Sequence, residues 1–313
     1  MADILTLTPN PALDVFTSTA RVQPTHKLRC GAPLLHPGGG GINVARVLAR
    51  LGTGVRALFP SGGVAGQQLC GLLEAEGVAY ETLPIAGSTR ESFSVREEAS
   101  GQEYRFVLPG PTLSDAEWQA SLDFACLHRP GARLFVASGS LPPGVPDDFY
   151  ARLARRLAAA GVRLVLDTSG PPLAAALDAG VHLVKPSLRE LQELTAQPLA
   201  TMAQREAACR SLVERGSAGI VALSLGAEGA LLVSAQGAWH APALPVQVVS
   251  TIGAGDSFVG GMVFAFARGE DFAAALRHGM AASAAALLSG GTALCQPEDV
   301  ARLLPQVQVR SLG

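Results

Sequence analysis

The sequence predicts a layered α/β domain built on a mainly parallel central sheet, with a small second β-sheet set apart as a lid. Short apolar runs alternate with longer stretches of helical period, the pattern of strands joined by crossover helices. Of 313 residues, 48% are hydrophobic and 16% charged, enough apolar material for one large core. Two extended runs at 92–98 and 102–107 break that alternation, and these predict the second sheet.

Along the chain, residues 4–8 read as a first strand, and 55–59 as a strand between helical stretches at 41–51 and 65–76. Strands follow at 134–137, 162–166, 182–184 and 220–223, with helices at 147–160, 171–177, 188–194 and 201–214. The order is expected to be βαβα throughout. The interrupting runs flank Ala99-Ser100-Gly101 as a hairpin, with polar residues alternating against Phe93, Val95, Tyr104 and Phe106. Together with the extended, Pro-interrupted residues 15–33 they are read as a lid of about 15–35 and 88–108 on a single domain spanning 1–313. An edge hairpin of purely structural meaning is the alternative. Near the end, an apolar helix runs from 256 to 268 and a shorter one from 281 to 288.

Several function classes are disfavoured. A formal net charge of −2 supplies no basic field for nucleic acid. The five cysteines are scattered with no C-x-x-C pair, which suggests neither a zinc site nor a disulfide framework. Residues 4–8 enter a strand with no charged leader, and no apolar run approaches the roughly 18 residues of a membrane span, so a cytoplasmic location is expected. The six histidines show no metal-ligand spacing. Lys27 and Lys185 are the only lysines among 24 basic residues, and neither follows a glycine, so no P-loop exists.

Two glycine runs carry the chemistry. Pro37-Gly38-Gly39-Gly40-Gly41-Ile42-Asn43 places four glycines before a helix, where backbone can approach a ligand and helix N–H groups are free. It is not a dinucleotide fingerprint, because Asn43 replaces the last glycine of G-x-G-x-x-G. The second run, Thr251-Ile252-Gly253-Ala254-Gly255-Asp256, opens an apolar helix. Gly253, Ala254 and Gly255 would turn successive N–H groups toward a transferring phosphoryl group, with Asp256 beside them as the catalytic carboxylate. The helix start is expected to hold Asp256 ionised and so a weak base, which phosphoryl transfer tolerates because it needs positioning and a late proton acceptor.

Six segments occur in a telling order: Asp14 after Pro9-Asn10-Pro11-Ala12-Leu13; Gly38 to Asn43; Ser138-Gly139-Ser140-Leu141-Pro142-Pro143-Gly144; Lys185-Pro186-Ser187-Leu188-Arg189-Glu190; Ser224-Leu225-Gly226; and Gly253 to Asp256. Over essentially the whole chain they resemble the PfkB/ribokinase-like carbohydrate kinases. Lys27-Leu28-Arg29-Cys30, residues 37–46, Tyr104-Arg105-Phe106-Val107 and residues 138–144 are most similar to the phosphosugar branch, of the minor bacterial 6-phosphofructokinase type.

The resemblance implies a ribokinase-like α/β/α domain, a β lid often used in dimerisation, and a site between them taking ATP and Mg²⁺. Asp14 and Asn43 would hold sugar hydroxyls, with Gly38 and Gly39 packing bare backbone against the sugar. Lys27, Arg29, Arg90 and Arg105 would supply the cations a phosphorylated acceptor needs, Arg90 and Ser138 first and Lys27 reaching over from a partner subunit. Lys185, Ser224, Gly226 and Thr251 match nucleotide positions. Glu190 matches the acid of an N-x-x-E motif that organises Mg²⁺ through water, although Ser187 stands where asparagine is usual. Gly290-Gly291-Thr292 and the helix at 281–288 would border the adenine. Some relatives hold a monovalent cation behind the anion hole, and backbone near Ser250 and Ile252 would hold K⁺ here.

The implied reaction is ATP-dependent conversion of fructose 6-phosphate to fructose 1,6-bisphosphate. Tagatose 6-phosphate and fructose 1-phosphate are alternative acceptors that the lid arginines do not separate. A sugar-phosphate sensor on a kinase fold is the non-enzymatic alternative.

Overall fold

The computed structural model describes residues 4–128 and 131–312. The first half of the chain contains β1 (Ile4–Leu7), β2 (Ala12–Thr19), β3 (Leu34–Gly38), α1 (Gly40–Arg50), β4 (Val55–Ser61), α2 (Gly63–Ala75), β5 (Tyr80–Pro84), β6 (Arg90–Glu97), β7 (Glu103–Val107), α3 (Asp115–Leu127), β8 (Leu134–Ser138) and α4 (Phe149–Ala158). The second half contains β9 (Arg163–Asp167), α5 (Gly170–Ala179), β10 (Val181–Val184), α6 (Leu188–Thr195), α7 (Met202–Glu214), β11 (Ala218–Ser224), β12 (Ala230–Ser234), β13 (Gly237–Ala241), α8 (Ala254–Ala267), α9 (Phe272–Ala286), α10 (Pro297–Leu303) and β14 (Arg310–Leu312).

Ten strands form the large sheet in the order β14-β13-β12-β11-β10-β9-β8-β1-β4-β5. From β5 to β11 all neighbours are parallel. Except at the edge strand β5, both faces of these strands are covered, which is why sequences such as those of β1, β8 and β10 read as apolar runs. Ile4, Val136, Val165, Leu183 and Ile220 point into one core with residues of α1, α8 and α9. Leu5, Phe135, Leu164, Val184 and Val221, each one residue out of phase, point into the other with residues of α3, α4, α5 and α7.

The expected strict βαβα order ends at β11. β12, β13 and β14 add antiparallel to that edge; short turns rather than crossover helices lead into β12 and β13, while β14 returns to the edge after α8, α9 and α10. The helix expected at 281–288 is the end of the longer α9, which Asp271 starts by accepting a hydrogen bond from the Ala274 N–H at 2.8 Å. Helix α3, which the sequence reading did not include, starts at a capping box of Ser114 with Glu117.

A separate four-stranded sheet runs β3-β2-β6-β7. Its strands begin at Ala12, ahead of the expected extended segment, while residues 20–33 form no strand. Register aligns Ala12 with Arg90, Asp14 with Ser92, Ser92 with Val107 and Ser94 with Arg105, so these residues share one face. Phe93 and Phe106 pair on the other face, 36% and 57% exposed.

Candidate functional site

The parallel strands end on one side of the large sheet, where open α/β folds place ligands. Ser138 and Asp167 are register partners at the ends of β8 and β9, and Lys185 follows β10 directly. The polar face of the small sheet stands opposite. Between them lies a cleft of about 320 Å³ lined by Asp14, Gly39, Asn43, Arg90, Arg105, Ser138, Glu190, Thr251, Gly253 and Asp256. Ten residues singled out from sequence thus converge from both sheets.

The glycine loop is built by close approach. Gly38 ends β3, and a Cβ there would collide with the Asp14 carboxylate, lying within 2.7 Å even of the farther oxygen, Oδ1. A Cβ on Gly40 would come within 2.9 Å of the Ser138 Cβ. Thr8 closes the turn, its Oγ1 accepting from the Ile42 N–H at 2.7 Å. Gly38 therefore does not line the cleft as bare backbone for a sugar; it admits the Asp14 side chain, which does line it.

Gly253 caps α8 with φ 74°, a left-handed conformation, and Leu294 packs where a Cβ would stand. Asp256 sits in the first turn that follows, and Asn43 Nδ2 donates to its Oδ2 at 2.9 Å. Burial pushes the Asp256 carboxyl above its ordinary range and the Asp14 charge adds to the rise, against the pull of Asn43, Lys185 and Arg105. The expectation that the helix start leaves Asp256 a weak base is thereby corrected, because desolvation outweighs the favourable partners.

Burial also raises Asp14, opposed by Arg105, Arg90 and Arg46. Arg90 is held in place by Nη1 donating to the Leu108 carbonyl at 3.0 Å and Nη2 donating to the Asn10 carbonyl at 3.1 Å, with Nε buried and unpartnered. Such a fixed cation, with a desolvated donor to spare, suits an anionic ligand.

Lys185 stands behind the cleft wall, its Nζ 3.9 Å from where a Cβ on Gly255 would lie. It is only 7% exposed, lies 3.1 Å from Asp167 Oδ1, and is not among the groups lining the cleft. Burial disfavours its charge, but Asp167, Glu190 and Asp256 together raise its pKa. Asp167, which sequence reasoning missed, is pushed up to about 6 by burial and by the charges of Asp256 and Glu190, despite Lys185. Its signal was available: an acid closing the apolar strand Arg163–Asp167, at the ligand-facing strand end.

Ser187 and Glu190 form a capping box at the start of α6. The Glu190 N–H donates to Ser187 Oγ at 3.2 Å and the Ser187 N–H to Glu190 Oε2 at 2.7 Å. Serine in place of the usual asparagine thus keeps a cap, while Glu190 still lines the cleft. Ser224 bridges to Ser187, and its N–H donates to the Pro186 carbonyl at 3.0 Å, so the 224–226 turn stands beside this helix start. Ser250 donates to Glu103 Oε2 at 2.9 Å and accepts from the Ile252 N–H at 3.2 Å, tying β7 to the turn before Gly253. Lys27 and Arg29 are exposed on the 20–33 segment and do not line the cleft of their own chain.

Comparison with known proteins follows the same outline. The model of the pfkB family of carbohydrate kinases matches residues 13–299. An ATP-dependent 6-phosphofructokinase isozyme 2 of Mycobacterium tuberculosis is 47% identical over 299 residues, covering 96% of this chain and 88% of that one. Its namesake in Escherichia coli K12 is 41% identical over 304 residues, 97% and 98% of the two chains. A 1-phosphofructokinase of Xanthomonas campestris is 38% identical over 83% of each. Among solved structures, phosphofructokinase-2 from Escherichia coli with substrates and products superposes at TM-score 0.94 with 40% identity, over 97% of this chain and 99% of that one. The same enzyme with potassium gives 0.93, and its tetrameric inhibited form 0.92, each at 40% identity over 98% and 99%.

Proposed function

We propose, for a chain that belongs to the pfkB family of carbohydrate kinases, the ATP-dependent phosphorylation of fructose 6-phosphate to fructose 1,6-bisphosphate. The observation that carries this reading is the facing pair of charges in one cleft. Arg90 and Arg105 stand on the small sheet, and Asp256 stands at the start of α8 beside the Gly253 turn.

In this reading Arg90, Arg105 and Ser138 hold the acceptor's phosphate while Asp14 and Asn43 orient its hydroxyls. Asp256 takes the proton of the attacking 1-hydroxyl; its raised carboxyl makes it a better acceptor than an exposed one. Backbone N–H groups from Gly253 to Gly255 hold the charge that develops on the transferring phosphoryl group. Lys185 supports that end from behind: a Cβ on Gly255 would lie 3.9 Å from its Nζ.

The carboxylates of Glu190 and Asp167 on the cleft wall fit a Mg²⁺ that enters with the nucleotide, Glu190 acting through water because its Oε2 is engaged by Ser187. Such an ion neutralises phosphate charge. Beside Ser250, the buried and unpartnered Glu103 Oε1 suits a monovalent cation such as K⁺. The ATP site takes in Thr251, Ser187 and the Ser224–Gly226 turn.

The exposed apolar face around Phe93 and Phe106 supports a homodimer formed through the small sheet, which acts as the lid of a single 1–313 domain. Lys27 and Arg29, away from their own cleft, then serve the partner's. Among the described residues no helix is long and apolar enough to cross a membrane, in keeping with action on dissolved sugar phosphates.

A steady-state comparison of fructose 6-phosphate, tagatose 6-phosphate and fructose 1-phosphate with ATP tests the acceptor. The highest kcat/KM is expected for fructose 6-phosphate. A large preference for fructose 1-phosphate would move the chain to the activity of its 38% identical relative.

A further inference from the structure

Arg46 is a charged side chain with 0% exposure in a helix whose neighbours are apolar. It lies three residues beyond Asn43 on α1, within reach of it on the same helix surface. Its Nη1 donates to the carbonyls of Thr292 at 2.9 Å and Pro37 at 3.0 Å and makes a longer 3.3 Å bond to Asn43 Oδ1. Nε and Nη2 donate to Glu76, the residue that follows α2, at 2.9 and 2.6 Å. The guanidinium is thus fixed on three sides before it meets Asn43.

We propose that Arg46, which lines no part of the cleft, is a positioning residue that sets the orientation of the Asn43 amide and through it the aim of the Asp256 carboxylate. An amide has a donating end and an accepting end. Arg46 carries only donors and faces Oδ1; the Asp256 carboxylate carries only acceptors and faces Nδ2. The two charges therefore read opposite ends of one amide, and a flip would turn both contacts repulsive. Without Arg46, Oδ1 loses its buried donor and the amide is free to rotate away from Asp256. The same guanidinium holds the Thr292 carbonyl, so it also fixes a residue that lines the cleft.

The inference rests on Asp256 as proton acceptor, and a pH profile separates positioning from mere support. Asp256 is faced by Asn43 from α1, Lys185 after β10, Asp167 from β9, Asp14 from β2 and Arg105 from β7. Of the groups around Asp256, Arg46 touches Asn43 directly, and it also lowers the Asp14 carboxyl by its charge. Because the Asn43 hydrogen bond lowers the Asp256 carboxyl's pKa, losing it moves the acidic limb of the kcat–pH curve upward.

Arg46→Met keeps the stem and removes the donors, while Arg50 remains to pair Glu76 at 3.1 Å. It should lower kcat about ten- to thirtyfold, shift the acidic limb up and leave the KM for ATP near wild type. Arg46→Lys keeps a charge for Glu76 but has one nitrogen in place of three, so it should show the same limb shift if the methionine variant fails to fold. Arg50→Ala, which breaks the other Glu76 pairing without touching Asn43, should lower Tm and leave the limb in place. If folded Arg46 variants keep the wild-type limb and a kcat within about threefold while Asp256→Asn is inactive, the positioning role is wrong. If Asp256→Asn itself turns over normally, the proton-acceptor reading fails instead, and this inference with it.

Discussion

Gly38→Ala tests whether the glycine loop exists to admit Asp14. Gly38 does not have a left-handed backbone, so alanine is conformationally acceptable there. The new methyl would nevertheless overlap the whole carboxylate, coming within 2.7 Å of its farther oxygen. Reaching ordinary separation requires a retreat of on the order of 1 Å, and a 1 Å misplacement at a reacting site can cost about a hundredfold. Losing one or two bonds to a charged group is worth about 2–3 kcal/mol, on the order of 30- to 150-fold in kcat/KM. The assay is coupled ADP release with varied fructose 6-phosphate, alongside Tm and the KM for ATP. Gly54→Ala, whose Cβ would meet nothing within 4 Å, is the control. A folded Gly38→Ala enzyme with kcat/KM within threefold of wild type would refute the reasoning.

Three further outcomes follow from the site. In Glu190→Gln the amide can still accept from the Ser187 N–H, so Tm should hold while the Mg²⁺ concentration for half-maximal rate rises about tenfold or more; an unchanged Mg²⁺ titration would leave Glu190 as a cap only. Burial holds the Asp256 carboxyl above its unfolded value of 3.8, so the stability present below that value is lost as pH rises through the folded pKa. Asp256→Asn should therefore raise Tm at pH 7, with the gain shrinking toward pH 4, and a lower Tm at pH 7 by calorimetry would contradict the burial argument. Phe106→Glu should convert a dimer to monomers in light scattering, and an undisturbed dimer would place the interface elsewhere than the exposed face of the small sheet.

The parts of the fold legible in the sequence were those with a period. Parallel strands such as Leu134–Ser138 and Arg163–Asp167 announced themselves because both faces are buried. The hairpin at Arg90–Glu97 and Glu103–Val107 did so because one face is polar and the other apolar. The antiparallel strands Ala230–Ser234 and Gly237–Ala241 were not read, since no α-helix separates them from Ala218–Ser224 and the alternation of strand and helix left no place for them. Glycine runs marked the cleft because close approach excludes side chains, but sequence could not say what approaches: at Gly38 it is Asp14 rather than a ligand.

Asp167 and Arg46 stayed hidden for a related reason. Each is held by partners distant in sequence, Lys185 for one and Thr292 and Glu76 for the other. Lys185 was placed by motif at the nucleotide, yet its burial and ion pair appear only when β9 and β10 are side by side.

The central claim is that Asp256 is the group that takes the acceptor's proton in ATP-dependent phosphorylation of fructose 6-phosphate. Single-turnover transfer from labelled ATP by Asp256→Asn, with fructose 6-phosphate binding measured separately by calorimetry, tests it most directly. Transfer should fall by about a hundredfold to ten-thousandfold while binding stays near wild type, and a variant that binds and transfers at the wild-type rate would contradict it.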